Sequence, residues 1–292
     1  MRSISLFVSC MGFVLSFGCQ STPTKATDDS TDRDVAGTVE VIPASEVKWT
    51  PLNPARGDQS PKAATLWGDR GANEATGFLV QFVDGFSSPP HIHNVTYRGV
   101  VISGLVHNDD PDAAMMWMPP GSFWTQPAGE THVTDAQGDR NVAYIEIDAG
   151  PYLVQPPGEA FDNGERPVNI DASNLIWLGP QDIAWLGDHV GPDSPEVAFL
   201  WGDPRDDDPA GMMIKLPTGF AGVIRSSGPV FRAIVIEGRL DYLSHGANAA
   251  ILLEPGSYAG SAGDVMHRVS CDSAEPCVLY VRFAGRLGIE TR

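Results

Sequence analysis

His91-Ile92-His93 is the stretch of this chain best suited to chemistry. Residues two apart on a strand point to the same face, which sets the two imidazoles side by side, roughly 7 Å apart at Cα. Neutral imidazole ligates zinc, copper, iron and nickel, so the pair can chelate one divalent ion. A pair of histidines inside a barrel can equally be structural. His107, His189 and His245 follow no motif and are expected to be ordinary surface or turn residues. Cys271 and Cys277 are too widely spaced for a thioredoxin-like pair, and no second cysteine pair accompanies them to build a zinc knuckle.

The elements that must hold such a site are strands. Segments 77–83, 99–106, 113–118 and 142–147 are short, apolar or alternating, and separated by Gly, Pro, Asn or Asp. Segments 212–216, 233–243, 250–253 and 278–283 repeat the pattern, and no segment shows a long helical periodicity. The 31 Gly and 24 Pro fit short strands joined by turns. The chain is also internally repeated. Leu66-Trp67-Gly68-Asp69 recurs as Leu200-Trp201-Gly202-Asp203, with Gly85/Gly219 and Gly104/Gly238 at the same offset of 134. Pro120-Gly121-Ser122-Phe123 recurs as Pro255-Gly256-Ser257-Tyr258 and His132 as His267, at 135, while Ala44-Ser45 and Trp49 recur as Ala172-Ser173 and Trp177, at 128. Such landmarks imply duplication of a domain-sized unit and predict two all-β barrels in tandem. Trp67 and Trp201 recur in both units and are expected in the core.

With the strands in place, the spacing resembles that of the cupins. Their first motif, G-x5-H-x-H-x3-E-x6-G, is matched by Gly85, His91, His93, Tyr97 and Gly104. Their second, G-x5-P-x-G-x2-H-x3-N, is matched by Gly121, Pro127, Gly129, His132 and Ala136. Every Gly, Pro and His falls in register, whereas Tyr97 replaces the Glu and Ala136 the Asn. The resemblance spans residues 41–292 or nearly so, and is to bicupins, nearest to the ChrR-like group. It implies tandem jelly-roll barrels and a divalent metal (Fe, Zn, Mn or Ni) held by His91, His93 and His132. Tyr97 is a candidate fourth ligand, hydrogen-bond donor to a ligand, or barrel filler. Gln126 and Glu130 flank His132 and are candidate catalytic residues in a second layer, or exposed loop residues. At the positions of His91, His93 and Tyr97 the second repeat has Arg225, Ser227 and Phe231 at the 134 offset, so it is expected to hold no metal, with Arg225 as a candidate anion contact.

The termini and composition set the context. Residues 1–19 combine Arg2, an apolar run from Ile4 to Val14, and Leu15-Ser16-Phe17-Gly18-Cys19, which resembles a lipoprotein signal, although the Leu stands one place early. The resemblance implies lipidation at Cys19, export, and attachment to a membrane by the lipid alone. Cys10 belongs to the signal, leaving Cys271 and Cys277 for a disulfide. Residues 20–40 are polar and expected to be a flexible linker, followed by a metal-binding domain, 41–160, and a degenerate one, 161–292. At 292 residues and 42% hydrophobic the chain can bury large cores, and its formal charge of −18 opposes binding to nucleic acid or anionic lipid.

Three function classes follow: a three-histidine dioxygenase acting on a small, bidentate, enolisable dicarbonyl-like substrate; a non-catalytic sensor of zinc or a small ligand; and a structural lipoprotein. The partner expected is a small molecule, with a homodimer as a further option.

Overall fold

Strand after strand of apolar residues closes into two large sheets. The computed structural model describes residues 37–186, 191, 193–244 and 248–291. Cys10, Cys19, His189 and His245 lie outside the described residues. Among the described residues, one sheet has eight strands drawn mainly from the first repeat and the other nine drawn mainly from the second. Long strands organise each barrel: Tyr97–Asp109 pairs with Val133–Ile147 in the first, and Ala221–Glu237 with Cys277–Thr291 in the second. The first barrel buries Phe78, Val101, Trp124 and Ile147, and the second Met212, Ile214, Phe231 and Val281.

A third apolar layer joins the halves within one compact unit, residues 35–292. Leu79, Ile102, Phe123 and Tyr144 of the first repeat pack with Met213, Ile236, Tyr258 and Tyr280 of the second. The recurring tryptophans, expected in the core, are partly buried at the edge of this layer. Trp67 Nε1 donates to Tyr144 Oη at 3.0 Å and Trp201 Nε1 to Tyr280 Oη at 2.9 Å. Each indole lies flat against a glycine: a Cβ at Gly77 would fall 2.1 Å from Trp67 Nε1, and one at Gly211 1.9 Å from Trp201 Nε1. At the centre Glu146, fully buried, accepts from Tyr280 at 2.8 Å and from Arg282 at 3.3 Å.

Several expectations are corrected. Residues 38–40 are not linker: Thr38–Ile42 is a strand, and it pairs with Tyr258–Ala262 of the second barrel. Val168–Ile170, placed by sequence in the second domain, pairs with Phe123–Gln126 of the first. The repeats thus exchange their leading strands, and the exchange is anchored the same way twice: Ala44 N donates to Ser257 Oγ at 2.9 Å and Ala172 N to Ser122 Oγ at 3.0 Å. A boundary at residue 160 does not follow the sheets. Segment 113–118 is not a strand; after the Asp110-Pro111-Asp112 turn only Met118 bridges to Val106. The segment 233–243 is two strands, broken at Gly238 with φ 78°.

Candidate metal centre

The first motif folds into a ledge rather than a long strand. Pro89 and Pro90 lack amide hydrogens and stop the ladder after Phe86–Ser87. His91 then makes both backbone hydrogen bonds to His132, each 3.0 Å, and His93 lies in the two-residue strand Ile92–His93, held by Val154–Gln155. Gly129, at φ 78°, turns the chain toward His132, where a Cβ would fall 2.5 Å from the Phe161 carbonyl oxygen. Two motifs about forty positions apart are thereby locked face to face.

The three imidazoles converge. Ring centroids are 4.3 Å apart for His91/His132, 5.1 Å for His91/His93 and 5.3 Å for His93/His132. Each ring offers a nitrogen, and the three lie within 4.8 Å of one another. Their outer edges are fixed by backbone carbonyls: His91 Nδ1 donates to Pro89 O at 2.9 Å, His93 Nδ1 to Leu153 O at 2.9 Å, and His132 Nδ1 to Glu130 O at 3.2 Å. A carbonyl can only accept, so each Nδ1 carries the proton and each Nε2 keeps its lone pair. Burial also holds the rings neutral. It lowers the pKa of His91, drives His93 well below the ordinary value with help from His132 and His91, and takes His132 to about 3.

Two phenols cap the triad. Tyr97 Oη donates to Asn108 Oδ1 at 2.8 Å, the shorter of its two contacts, and so turns a lone pair toward His132 Nε2 at 3.2 Å. Two lone pairs at that distance call for a cation near both, which is the chemistry a divalent ion supplies; the donor set fits one. Tyr152 stacks on His93 with centroids 4.2 Å apart, and its hydroxyl meets His93 Nε2 at 3.1 Å. Burial raises the pKa of both phenols. Behind Tyr97, Asn108 accepts from Thr134 at 2.8 Å and donates to Gln126 at 3.0 Å, so Gln126 lies one step behind Tyr97. The site opens into a cavity of about 560 Å³ lined by Phe82, Phe86, Trp124, Ile145, Arg56 and Arg70, among others.

His91, His93, His132 and Tyr97 are brought together as the motifs implied. Glu130 is not: its carbonyl serves His132 and Gln126, while its side chain lines a separate surface hollow beside Asp162 and Arg166. His107 is not a surface residue but is buried, its Nδ1 within 3.2 Å of the Met116 carbonyl. Tyr152, Asn108 and Arg70 escaped the sequence reading, because they stand outside both motifs and only folding brings them to the site. The second barrel differs from the expected alignment by one residue. Opposite His267 stands Ile224, not Arg225, and the inward neighbour is Ser226. Arg225 points to solvent, 3.4 Å from Glu290, and so is no cavity anion contact. His267 is enclosed by the Tyr242 hydroxyl at 2.9 Å and the Ser261 hydroxyl at 3.0 Å. Among the described residues, the only cluster of three metal-ligating side chains is His91, His93 and His132.

With the fold and site in view, the chain has an all-β, two-barrel fold that is cupin-like, as its structural neighbours show. It belongs to the DUF4437 family, a domain of unknown function, whose model matches residues 40–290. It is similar in structure to a candidate dioxygenase from Nostoc punctiforme, with a TM-score of 0.63 at 12% identity over 87% of this chain and 86% of that one. It is also similar to AerE from Microcystis aeruginosa, with a TM-score of 0.52 at 12% identity over 82% and 97% of the two chains. Oxalate decarboxylase from Bacillus subtilis aligns with a TM-score of 0.51 at 12% identity over 88% and 78%. No curated protein sequence matches the chain.

Proposed function

We propose that this chain is a metal-dependent enzyme of the dioxygenase type, acting on a small molecule that presents two adjacent oxygens, such as an enolisable dicarbonyl. The observation that carries the reading is the orientation of the triad: three Nδ1 atoms tied to backbone carbonyls turn three neutral Nε2 atoms toward one another, and His91 and His93 line a cavity. A divalent ion held there (Fe, Mn, Ni or Zn) would polarise bound oxygens and, when redox-active, give electrons a path to O2. Three neutral imidazoles leave its charge uncompensated, so the residues favour an anionic, chelating ligand. Tyr152 lines the cavity and can turn its hydroxyl from His93 Nε2 to a ligand oxygen. Likeness to a candidate dioxygenase supports the reading by analogy of fold.

The test is metal analysis of protein purified without chelator, then oxygen-electrode and spectroscopic screening of β-dicarbonyls with Fe(II)-, Mn(II)-, Ni(II)- and Zn(II)-loaded protein. Metal-dependent oxygen uptake supports the reading; chelators that neither perturb the metal spectrum nor consume oxygen sink it. A second reading, a ligand or zinc sensor akin to the ChrR-like group, is favoured by one observation: the cavity wall holds no carboxylate to act as general base. Zinc as the resident metal, with no oxygen uptake, would move the assignment there.

We place the protein outside the cytoplasm, tethered by a lipid at Cys19, with a small molecule rather than nucleic acid as its partner. The Cys271–Cys277 disulfide supports an oxidising compartment. A homodimer is also proposed, to be checked by sedimentation.

A further inference from the structure

We infer that the ligand of this cavity carries a carboxylate on an apolar body, and that Arg70 holds that carboxylate, with Arg56 at the rim. The inference rests on the chelating site proposed above and adds what binds at the other end of the ligand.

Charge distribution is the first ground. The chain has 37 acidic and 19 basic residues, yet the cavity is lined by two arginines and by no Asp or Glu. Chance placement in so acidic a protein would give the opposite sign. The second ground is the setting of Arg70. Its guanidinium is half-buried over the Phe78 ring, 5.2 Å from the centroid, and its Nε donates to Thr65 Oγ1 at 3.2 Å. Among the described residues it makes no ion pair, and its two terminal nitrogens have no hydrogen-bond partner. The neighbouring Asp69 accepts from the Gly71 amide at 2.8 Å instead, acting on Arg70 only through space. A fixed guanidinium edge with two free donors matches the two oxygens of one carboxylate.

The third ground is continuity. Arg70 packs on Phe78, Phe78 lies edge-on to Tyr152 with centroids 5.3 Å apart, and Tyr152 stacks on His93. The anion contact and the triad are two ends of one wall. Val80, Phe82, Phe86 and Ile145 supply apolar surface for the body of the ligand, and Arg56 lies over Phe86 at 5.6 Å.

Calorimetric titration of Ni(II)-loaded protein with 4,6-dioxoheptanoate and with its methyl ester tests the inference, because the two share the chelating end and differ in the charge and one methyl group at the other. The acid should bind wild-type protein about tenfold more tightly than the ester, the scale of a charge-assisted hydrogen-bonded pair. Arg70→Met should erase that preference by weakening the acid alone, and Arg70→Lys should restore part of it; unchanged metal content shows the site intact. If Arg70→Met loses metal, Arg70→Gln serves in its place. Equal binding of acid and ester, or a preference that survives both substitutions, overturns the inference and leaves the chelating site standing. A second probe, 3-phenylpropanoate, has no chelating end and is titrated calorimetrically into metal-free protein. Arg70-dependent binding of this probe supports the carboxylate contact even when neither diketone binds the metal, in which case the chelating reading falls alone. Binding of this probe that is indifferent to Arg70 counts against the inference.

Discussion

His132 and His267 stand at the same place in the two barrels, opposite His91 in one and Ile224 in the other. Around His132 the outer nitrogen is held by a backbone carbonyl, and the inner one lies beside two more imidazoles, His91 and His93, which line a cavity. Around His267 both nitrogens meet side-chain hydroxyls, and Phe231 stacks on the ring with centroids 4.3 Å apart. Apolar residues such as Val235 and Leu279 fill the rest. The difference starts in the chain. Pro89-Pro90 breaks the first barrel's strand into short pieces that leave His91 and His93 on a ledge, whereas Ala221–Glu237 runs continuously and presents Ile224 and Ser226 inward. One barrel keeps ligating side chains beside an open cavity; its copy has filled the corresponding space.

The comparison breaks most visibly at the metal. His93→Ala should take bound metal from one ion per chain to nearly none by elemental analysis, while His267→Ala should leave the stoichiometry unchanged. Two ions in wild-type protein would mean that the second barrel has been misjudged. The next effect lies between the barrels, where Glu146 of one repeat meets Arg282 of the other. Arg282→Met leaves a fully buried carboxylate without its closest cation and should cost about 3–5 kcal/mol in denaturant unfolding, with much of the loss recovered in a Glu146→Leu/Arg282→Met double variant. An equal loss in single and double variants would show that packing, not charge, matters there.

A smaller effect is expected from pH. Burial lowers the His267 pKa to about 4, below the unfolded value near 6.5. The unfolded chain therefore binds the proton first. The stability contributed by neutral His267 is fully present above pH 6.5 and is lost as pH falls toward 4, at no more than about 1.4 kcal/mol per pH unit. His267→Gln should flatten that part of the stability curve; an unchanged slope would assign it to other groups. Smallest is the disulfide. Cys271 and Cys277 are six positions apart, so reduction should lower stability by about 2 kcal/mol, and only in the second barrel's loop. Thiol labelling of both cysteines in unreduced, denatured protein would contradict the bridge.

Much of this architecture is written in short-range pattern. Alternating apolar residues specify strands because the side-chain period of a strand is two, and recurring Trp, Gly and Pro landmarks specify two copies because each copy must solve the same packing problem. The triad was legible for the same reason: two histidines at i and i+2 share a face whatever surrounds them, and the Gly and Pro spacings position the turn that delivers His132. Other features depend on where distant segments land. The exchange of Thr38–Ile42 and Val168–Ile170 between sheets depends on which sheet edge is open, which no local pattern encodes. The one-residue offset that puts Ile224 rather than Arg225 opposite His267 is a register choice, set where Ala221 to Ser226 pair with Val265–Ser270, ahead of the register shift between Ser227 and Val230. Tyr152 reaches His93 from 59 residues away, and Arg70 reaches the same cavity from another loop. Sequence by itself determined which residues could ligate, because ligation is a property of side chains at fixed local spacing. Tertiary structure alone decided which groups surround them and whether space is left beside them, because packing depends on every segment that meets there.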